Sequence, residues 1–310
     1  MRPRRIAIVC GGPSAEANVS RASARAVRAA LEQAEYECRV HELDGGLFRA
    51  LIEHAPDVVF PVTHGPLGED GCLQGLLEVS GLPFVGSGVL ASALAASKPH
   101  AKALFRAEGL PLADELWVHE HESPASVFES LARKLSGSVV VKPASGGSAI
   151  ATTRLAAGYS LGDLELALGA AFGVDSSALV ERFVVGQEVT CGVLEDAAGP
   201  AALPPTRITS KAADWYDFAS RYAAEGSVHE CPAPLAPEVT ARVQAVAVAA
   251  FRTLGCRDLA RVDFVVGPGG AGEGVTLLEL NTLPGMTATS LYPEAAAARG
   301  IDFPALVSRL

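Results

Sequence analysis

Two apolar runs near the C-terminus, LARVDFVV (259–266) and VTLLEL (275–280), carry Asp263 and Glu279, and Asn281 follows at once. Hard divalent cations such as Mg²⁺ take oxygen ligands of this kind, one or two carboxylates with substrate phosphates completing the shell. Glu279 and Asn281 are two apart, so on a strand they share a face. Asp263 on a neighbouring strand joins them, with Arg261 on its own face. A cation beside two acids and an amide suits metal–phosphate chemistry. Charge alternating along a strand is ordinarily just a solvated face. Here the flanks are apolar, and NTLPGM (281–286) is a Pro-Gly loop that brings backbone N–H groups close to a ligand.

Other constellations point the same way. SVVVKPASGGSAIA (138–151) places Lys142 at a strand end, then Gly146, Gly147 and Ser148, with Lys98 further upstream. Glycines admit phosphate close to the backbone and lysine adds a point charge, although such loops often only turn the chain. No Walker A pattern occurs. In ALVERFVVGQEVT, Glu181 and Glu188 flank Phe183 and Val184. Acids there accept from an adenine amino group or a ribose hydroxyl while apolar neighbours sandwich the ring. Alone, the stretch is an ordinary strand–turn–strand. Glu16 stands at a helix start, as a dipole partner worth about 0.3–1 kcal/mol or as the grip on a substrate ammonium. His64 reads as a loop histidine or a substrate neighbour. His100, His119, His121 and His229 read as surface residues, and Trp117 and Trp215 as packing residues.

These residues need elements to hold them. RIAIVC, YECRVHEL and DVVFPVTHG read as strands, separated by the helix ANVSRASARAVRAALEQ and followed by the helix CLQGLLEVSG. This βαβ rhythm predicts a parallel sheet covered by helices. Its ligands collect at the carboxyl ends of the strands, where GGPSAE and HGPLGEDG fall. A second unit, from about 89 to 184, holds a helix carrying Lys98 and the strands SVVVKP and SALVERFV. A third holds the strand QEVTCGVL, a long loop from ITSKAADWYDF to HECPAPL, the helix EVTARVQAVAVAAFRTLG and the final strands. So long a loop suggests a lid.

At 310 residues the chain exceeds one core, and 49% hydrophobic content supplies several. A net charge of −10 argues against a general nucleic-acid binder. Six scattered cysteines without C-x-x-C spacing argue against zinc or a disulfide framework. MRPRRIAIVCGG reads as a first strand and not a signal peptide, and no run approaches a membrane span. A cytoplasmic protein with reduced thiols is expected.

Taken in order, GGPSAEANVS, THGPLGEDGCLQGLLEVSGLPFVGSGVLASALAASK, VVVKP, ERFVVGQEVT, WYDFASRY, LGCRDLARVDF and LLELNTLPGMTATSLYP resemble the D-alanine–D-alanine ligases of the ATP-grasp superfamily, over about residues 5–300. HG-x-x-GEDG-x-LQG together with N-T-x-PGMT is highly specific. The resemblance implies an α/β, three-subdomain ATP-grasp fold. An N-terminal parallel α/β unit (1–88) is joined to central (89–184) and C-terminal (185–310) α+β units that clasp ATP, with a lid at about 206–234. It implies that ATP phosphorylates the carboxylate of one D-alanine and that the amine of a second attacks the acylphosphate, giving D-Ala-D-Ala for peptidoglycan precursors.

By the same resemblance, Glu16 holds the first ammonium, linked through Ser148 to Tyr222 of the lid. Lys98, Lys142 and Arg221 contact phosphates. Glu181, Phe183, Val184 and Glu188 bind adenine and ribose, Leu278 also contacts ATP, and Asp263, Glu279 and Asn281 hold two Mg²⁺, or Mn²⁺. Arg261 and the N–H of Gly285 steady the oxyanion. Ser290 and Leu291 face the second substrate's carboxylate, and His64 lies near the first. A homodimer with no nucleic-acid or membrane partner is implied.

The chain departs from the family pattern where Ser97 replaces an aspartate, and where Ala149 and Ala151 replace the serine and glycine of G-S-S-x-G. It departs again where Arg221 replaces lysine and Ala219 an acid. These departures keep a second reading open, a specialised ligase taking D-serine or another acceptor in a secondary-metabolite or resistance pathway. A weakly active ATP-binding protein is a third, opposed by the retained metal ligands and Arg261.

Overall fold

The structure is a computed structural model and describes residues 4–210, 227–268, 274–287 and 289–310. The N-terminal strands β1 (Arg5–Cys10), β2 (Glu37–Glu42) and β3 (Val58–Pro61) form a parallel sheet in the order β2-β1-β3. After the exposed Arg5, IAIVC is apolar because both faces of β1 are covered. Ile6, Ile8 and Cys10 pack with α1 (Ala17–Gln33), while Ala7 and Val9 pack with α2 (Leu47–His54) and α3 (Cys72–Val79). The predicted α1 span agrees with the observed one. The sequence reading had no counterpart of α2, a short helix behind Gly45 and Gly46.

Two helices, α4 (Val89–Ala96) and α5 (Lys98–Ala107), lead onward. The central sheet contains β4 (Glu115–His119), β5 (Val139–Pro143), β6 (Thr153–Leu155) and β7 (Ser177–Arg182), antiparallel in the order β4-β7-β5-β6. Helices α6 (Pro124–Lys134) and α7 (Leu161–Phe172) cover the face formed by Val139, Val141, Ala178 and Val180. Strand alternation therefore turns Lys142 and Glu181 to the other face.

The last sheet contains β8 (Gln187–Asp196), β9 (Gly199–Ala202), β10 (Thr206–Ser210), β11 (Ser227–Glu230), β12 (Leu259–Val266) and β13 (Val275–Asn281). It runs antiparallel in the order β11-β10-β8-β12-β13, with β9 beside β8. Helix α8 (Pro237–Leu254) packs on Val189, Cys191, Ala260, Val262 and Phe264, which turns Arg261 and Asp263 away from it. Ala91, Ala101 and Phe105 of α4 and α5 join this core. Helix α9 (Leu291–Ala298) packs on β8 and helix α10 (Phe303–Arg309) packs on α1, in one core with residues of β1.

The expected irregular lid over 206–234 is corrected at both ends. Residues 206–210 and 227–230 are paired strands, with Arg207 opposite Glu230 and Ser210 opposite Ser227. TRITS and SVHE carry the β-branched residues that suit a pleated surface. Among the described residues no helix is long and apolar enough to cross a membrane.

Candidate active site

Two adjoining clefts lie between the sheets. The first, about 370 Å³, has Val140, Lys142 and Glu181 on one wall and Ile208, Val265 and Leu278 on the other. Phe183 and Val184, which connect β7 to β8, line it together with Glu188 and Lys98. Apart from Arg221, which lies outside the described residues, the residues expected to bind the nucleotide line one cavity, of the size small-molecule sites have. The Arg154 guanidinium stacks 3.9 Å from the centre of the Phe183 ring.

Charge in this cleft is paired. Glu181 is 4% exposed and its carboxylate contacts the ammonium groups of both Lys142 and Lys102. Burial would raise its pKa, but the two lysines outweigh burial and hold it at about 2. Burial likewise pulls on Lys142, and the carboxylates of Glu181 and Glu279 more than offset it, so its pKa is raised. Lys98, the first residue of α5, donates to the carbonyl of Gly146 and stands 3.8 Å from Glu279. Its pKa is lowered by burial, against the pull of Glu279.

The second cleft, about 310 Å³, is lined by Glu16, His64, Ser148, Arg261, Asn281 and Gly285 among others. Glu16 sits where β1 leads into α1 and accepts a 2.6 Å hydrogen bond from Ser148 Oγ of the glycine loop. Tyr222 and Arg221 lie outside the described residues. Ser290 stands at the N-cap of α9 with Leu291 following, and both line the cleft. The side chain of Ser290 caps nothing in its own helix and accepts instead from the N–H of Thr287, at 3.0 Å. A Cβ on Gly285 would approach Ser290 Oγ to 3.0 Å, so a larger residue would crowd this wall.

On β12 and β13, Asp263 stands opposite Glu279 and Arg261 opposite Asn281. Arg261 grips both oxygens of Asp263, Nε to Oδ1 at 2.8 Å and Nη2 to Oδ2 at 2.9 Å, and Thr190 donates to Oδ1 at 2.8 Å. Asn281 Oδ1 accepts from the N–H of Leu283 at 2.9 Å. Like charges directly opposite across strands repel. Two facing carboxylates beside an amide oxygen therefore fit a hard cation held jointly with phosphate. Among the described residues no cluster of three or more His, Cys, Asp or Glu is arranged to hold a metal unaided.

The match to known proteins follows this geometry. The family model described as D-ala D-ala ligase C-terminus matches residues 104–310, and that of the N-terminus matches residues 49–87. The D-alanine–D-alanine ligase of Acidiphilium cryptum is 43% identical over 98% of this chain and 96% of its own. The chain belongs to the D-alanine–D-alanine ligase family. Its fold is that of the family's solved structures, the ATP-grasp fold. The Bacillus anthracis D-alanine–D-alanine ligase complexed with ATP aligns over 99% of this chain and 95% of that one, with a TM-score of 0.82 and 31% identity. The VanG D-Ala:D-Ser ligase of Enterococcus faecalis aligns over 99% and 98%, with a TM-score of 0.84 and 26% identity.

In this ligase, sequence reasoning passed over four residues. Glu69 lies 4.0 Å from His64, and the buried atoms His64 Nε2 and Glu69 Oε2 have no hydrogen-bond partner among the described residues. Burial and the charge of Glu16 push Glu69 up to about 7. Burial holds His64 below its ordinary range, with Arg261 adding to it and Glu16 opposing. His229, read as a surface residue, lines the second cleft 3.2 Å from Glu294. Lys102 and Glu115 lie buried behind the first cleft. Trp117, read as packing, is 40% exposed, with the His100 ring edge-on to it and the His119 ring tilted against it.

Proposed function

We propose that this enzyme joins two D-alanines at the expense of ATP through a D-alanyl phosphate, supplying D-Ala-D-Ala for peptidoglycan precursors. The observation that carries the reading is that the two clefts meet at Gly147 and Glu279, which line both. A nucleotide in the first cleft would end its phosphate chain at Lys98, Lys142 and the glycine loop. An amino acid held by Glu16 in the second would present its carboxylate to that end. Proximity of this kind converts an encounter between two substrates into a step within one complex.

In the first step the carboxylate oxygen of one D-alanine attacks the γ-phosphorus and ADP departs. In the second, the amine of the other D-alanine attacks the acyl carbon, and phosphate leaves as the C–O bond breaks. Arg261, oriented by Asp263, and the N–H of Gly285 would face the oxyanion, a role in which one donor is worth about 2.7–4 kcal/mol. The second carboxylate would sit at Ser290 and the N-terminus of α9, where backbone N–H groups favour an anion. Asp263, Glu279 and Asn281 would hold Mg²⁺, two ions or Mn²⁺ in their place, whose charge neutralises that of the phosphates. Tyr222 and Arg221 would act from the lid.

We place the unit boundaries near residues 88 and 184, where connecting segments leave one sheet for the next, and read the enzyme as a cytoplasmic homodimer by family resemblance. Mass spectrometry of products formed with ATP, Mg²⁺, D-alanine and an equimolar set of D-alanine, D-serine and D-lactate tests the acceptor. D-Ala-D-Ala as the dominant product is expected. A dominant mixed product would transfer the enzyme to the specialised reading.

A further inference from the structure

Lys102 is 1% exposed and lies one turn after Lys98 on α5. A lysine this deep needs compensating partners. Its ammonium contacts Glu181 Oε1 and lies 3.2 Å from Glu115 Oε2. Glu115 and Glu181 are directly opposite one another across β4 and β7, an arrangement in which like charges repel. Lys102 reaches between them from α5. The other oxygen of Glu181 takes Lys142, and the other oxygen of Glu115 takes Arg106 Nη2 at 2.8 Å. Glu181 and Lys142 line the nucleotide cleft, whereas Lys102 and Glu115 stand behind its wall.

We propose that Lys102 is a positioning residue for nucleotide choice, which fixes the Glu181 carboxylate so that it presents only hydrogen-bond acceptors to the 6-amino group of adenine. The inference rests on the reading of Glu181 as an adenine contact. An ionised carboxylate accepts and cannot donate, so it favours a 6-amino purine over a 6-oxo purine. Without the Lys102 ammonium, the facing oxygens of Glu115 and Glu181 lose the cation between them, and only Arg106 and Lys142 on their outer oxygens remain. One of them turns away or takes up a proton, and a protonated Glu181 donates to a 6-oxo group. Lys102 touches neither nucleotide nor amino acid, so its effect falls on nucleotide affinity and selectivity and not on the chemical step.

Steady-state kinetics with ATP and inosine triphosphate test this in Lys102→Met, Lys102→Arg and Glu181→Gln. Lys102→Met is expected to raise the KM for ATP about tenfold or more, as loss of an interaction to a charged group does. The ATP-over-inosine-triphosphate ratio of kcat/KM should fall by a similar factor. The kcat and the KM for D-alanine should change by less than about twofold, the pattern of lost ground-state binding. Lys102→Arg, which keeps the charge, should recover part of the ratio. If Glu181→Gln leaves the ratio intact, Glu181 is no adenine contact and the underlying reading falls with the inference. If Glu181→Gln collapses the ratio and Lys102→Met does not, only the inference on Lys102 is overturned, even if the variant melts earlier. Should Lys102→Met fail to fold, the double variant Lys102→Met/Glu115→Gln removes the unmatched carboxylate charge as well and carries the same measurement with the same outcomes.

Discussion

Glu69 shows how a site residue leaves its mark on stability. Its carboxyl titrates at about 7 in the folded protein against an ordinary 4.5. Between those values the folded chain holds a proton that the unfolded chain has released, so stability falls as pH rises. The contribution is fully present below about pH 4.5, is lost as pH rises through about 7, and amounts to ~3 kcal/mol. Urea titrations should show Glu69→Gln gaining on the parent protein by that order between pH 5 and pH 7. Equal differences at both pH values would contradict the assignment. At Ser148, the 2.6 Å bond ties the glycine loop to Glu16, the residue proposed to hold the substrate ammonium. Ser148→Ala should raise the KM for the first D-alanine about tenfold or more, since hydrogen bonds to charged groups contribute roughly 1.5–3 kcal/mol. An unchanged KM would separate that bond from substrate binding. Glu16, Asp263 and Glu279 were legible because each sits in a motif with chemical meaning. Glu69 was not, because an acid inside GEDG reads as turn chemistry, and its raised pKa comes from burial and from charges such as Glu16 brought in from a distant segment. A lysine on α5 reads as solvated, and only the strand register behind it explains why Lys102 is buried.

Among the elements, α5 carries two buried lysines, Lys98 and Lys102. Phe105 on this helix is 0% exposed in the core beneath the large sheet. Phe105→Ala should cost about 3–5 kcal/mol and lower the Tm. A Tm shift of less than about 2 °C would mean that the core closes over the gap. The glycine loop is strained in a way its composition announces. Ser148, Ala149 and Ala151 all have positive φ, 56°, 54° and 52°. Left-handed backbone costs a non-glycine residue roughly 1–2 kcal/mol. Ala151→Gly should therefore leave stability unchanged or raise it by about 1 kcal/mol, despite the added freedom of the unfolded chain. A loss measured by urea unfolding would show that the Ala151 methyl makes contacts outweighing the strain. Strands and helices with a clear period, such as α1 and β12, could be read at once. Helix α2 is a short run behind two glycines, and β10 and β11 are short polar strands whose pairing with each other and with β8 is non-local, so neither left a periodic signal.

At the scale of the molecule, the N-terminal unit must sit correctly on the large sheet for Glu16 and His64 to share the second cleft with Arg261 and Gly285. One clamp between unit and sheet lies at residues 257–258. Arg257 Nε donates to the carbonyl of Gly86 at 2.9 Å and its guanidinium lies over the ring of Phe84. Asp258 accepts from the N–H of Gly86 at 2.7 Å while its own φ is 64°. Two residues later in β12 comes Ala260, then the site residue Arg261. Arg257→Ala should raise the KM for D-alanine by several-fold, with the KM for ATP nearly unchanged, because losing such contacts costs about 1–3 kcal/mol. Equal effects on both substrates would mean the clamp serves general stability. Three units and a shared cleft were expected from motif order. The clamp was not, since nothing in GCRDLAR marks its partner some 170 residues earlier.

In the proposed reaction one D-alanine is activated as an acylphosphate before the second attacks. The most direct measurement supplies D-alanine labelled with ¹⁸O in its carboxylate, together with ATP and Mg²⁺, and weighs the phosphate released. Transfer of one carboxylate oxygen to each phosphate, with D-Ala-D-Ala formed in equal amount, is the expected result. Dipeptide accompanied by unlabelled phosphate would contradict the mechanism, and phosphate released without any dipeptide would contradict the ligase assignment itself.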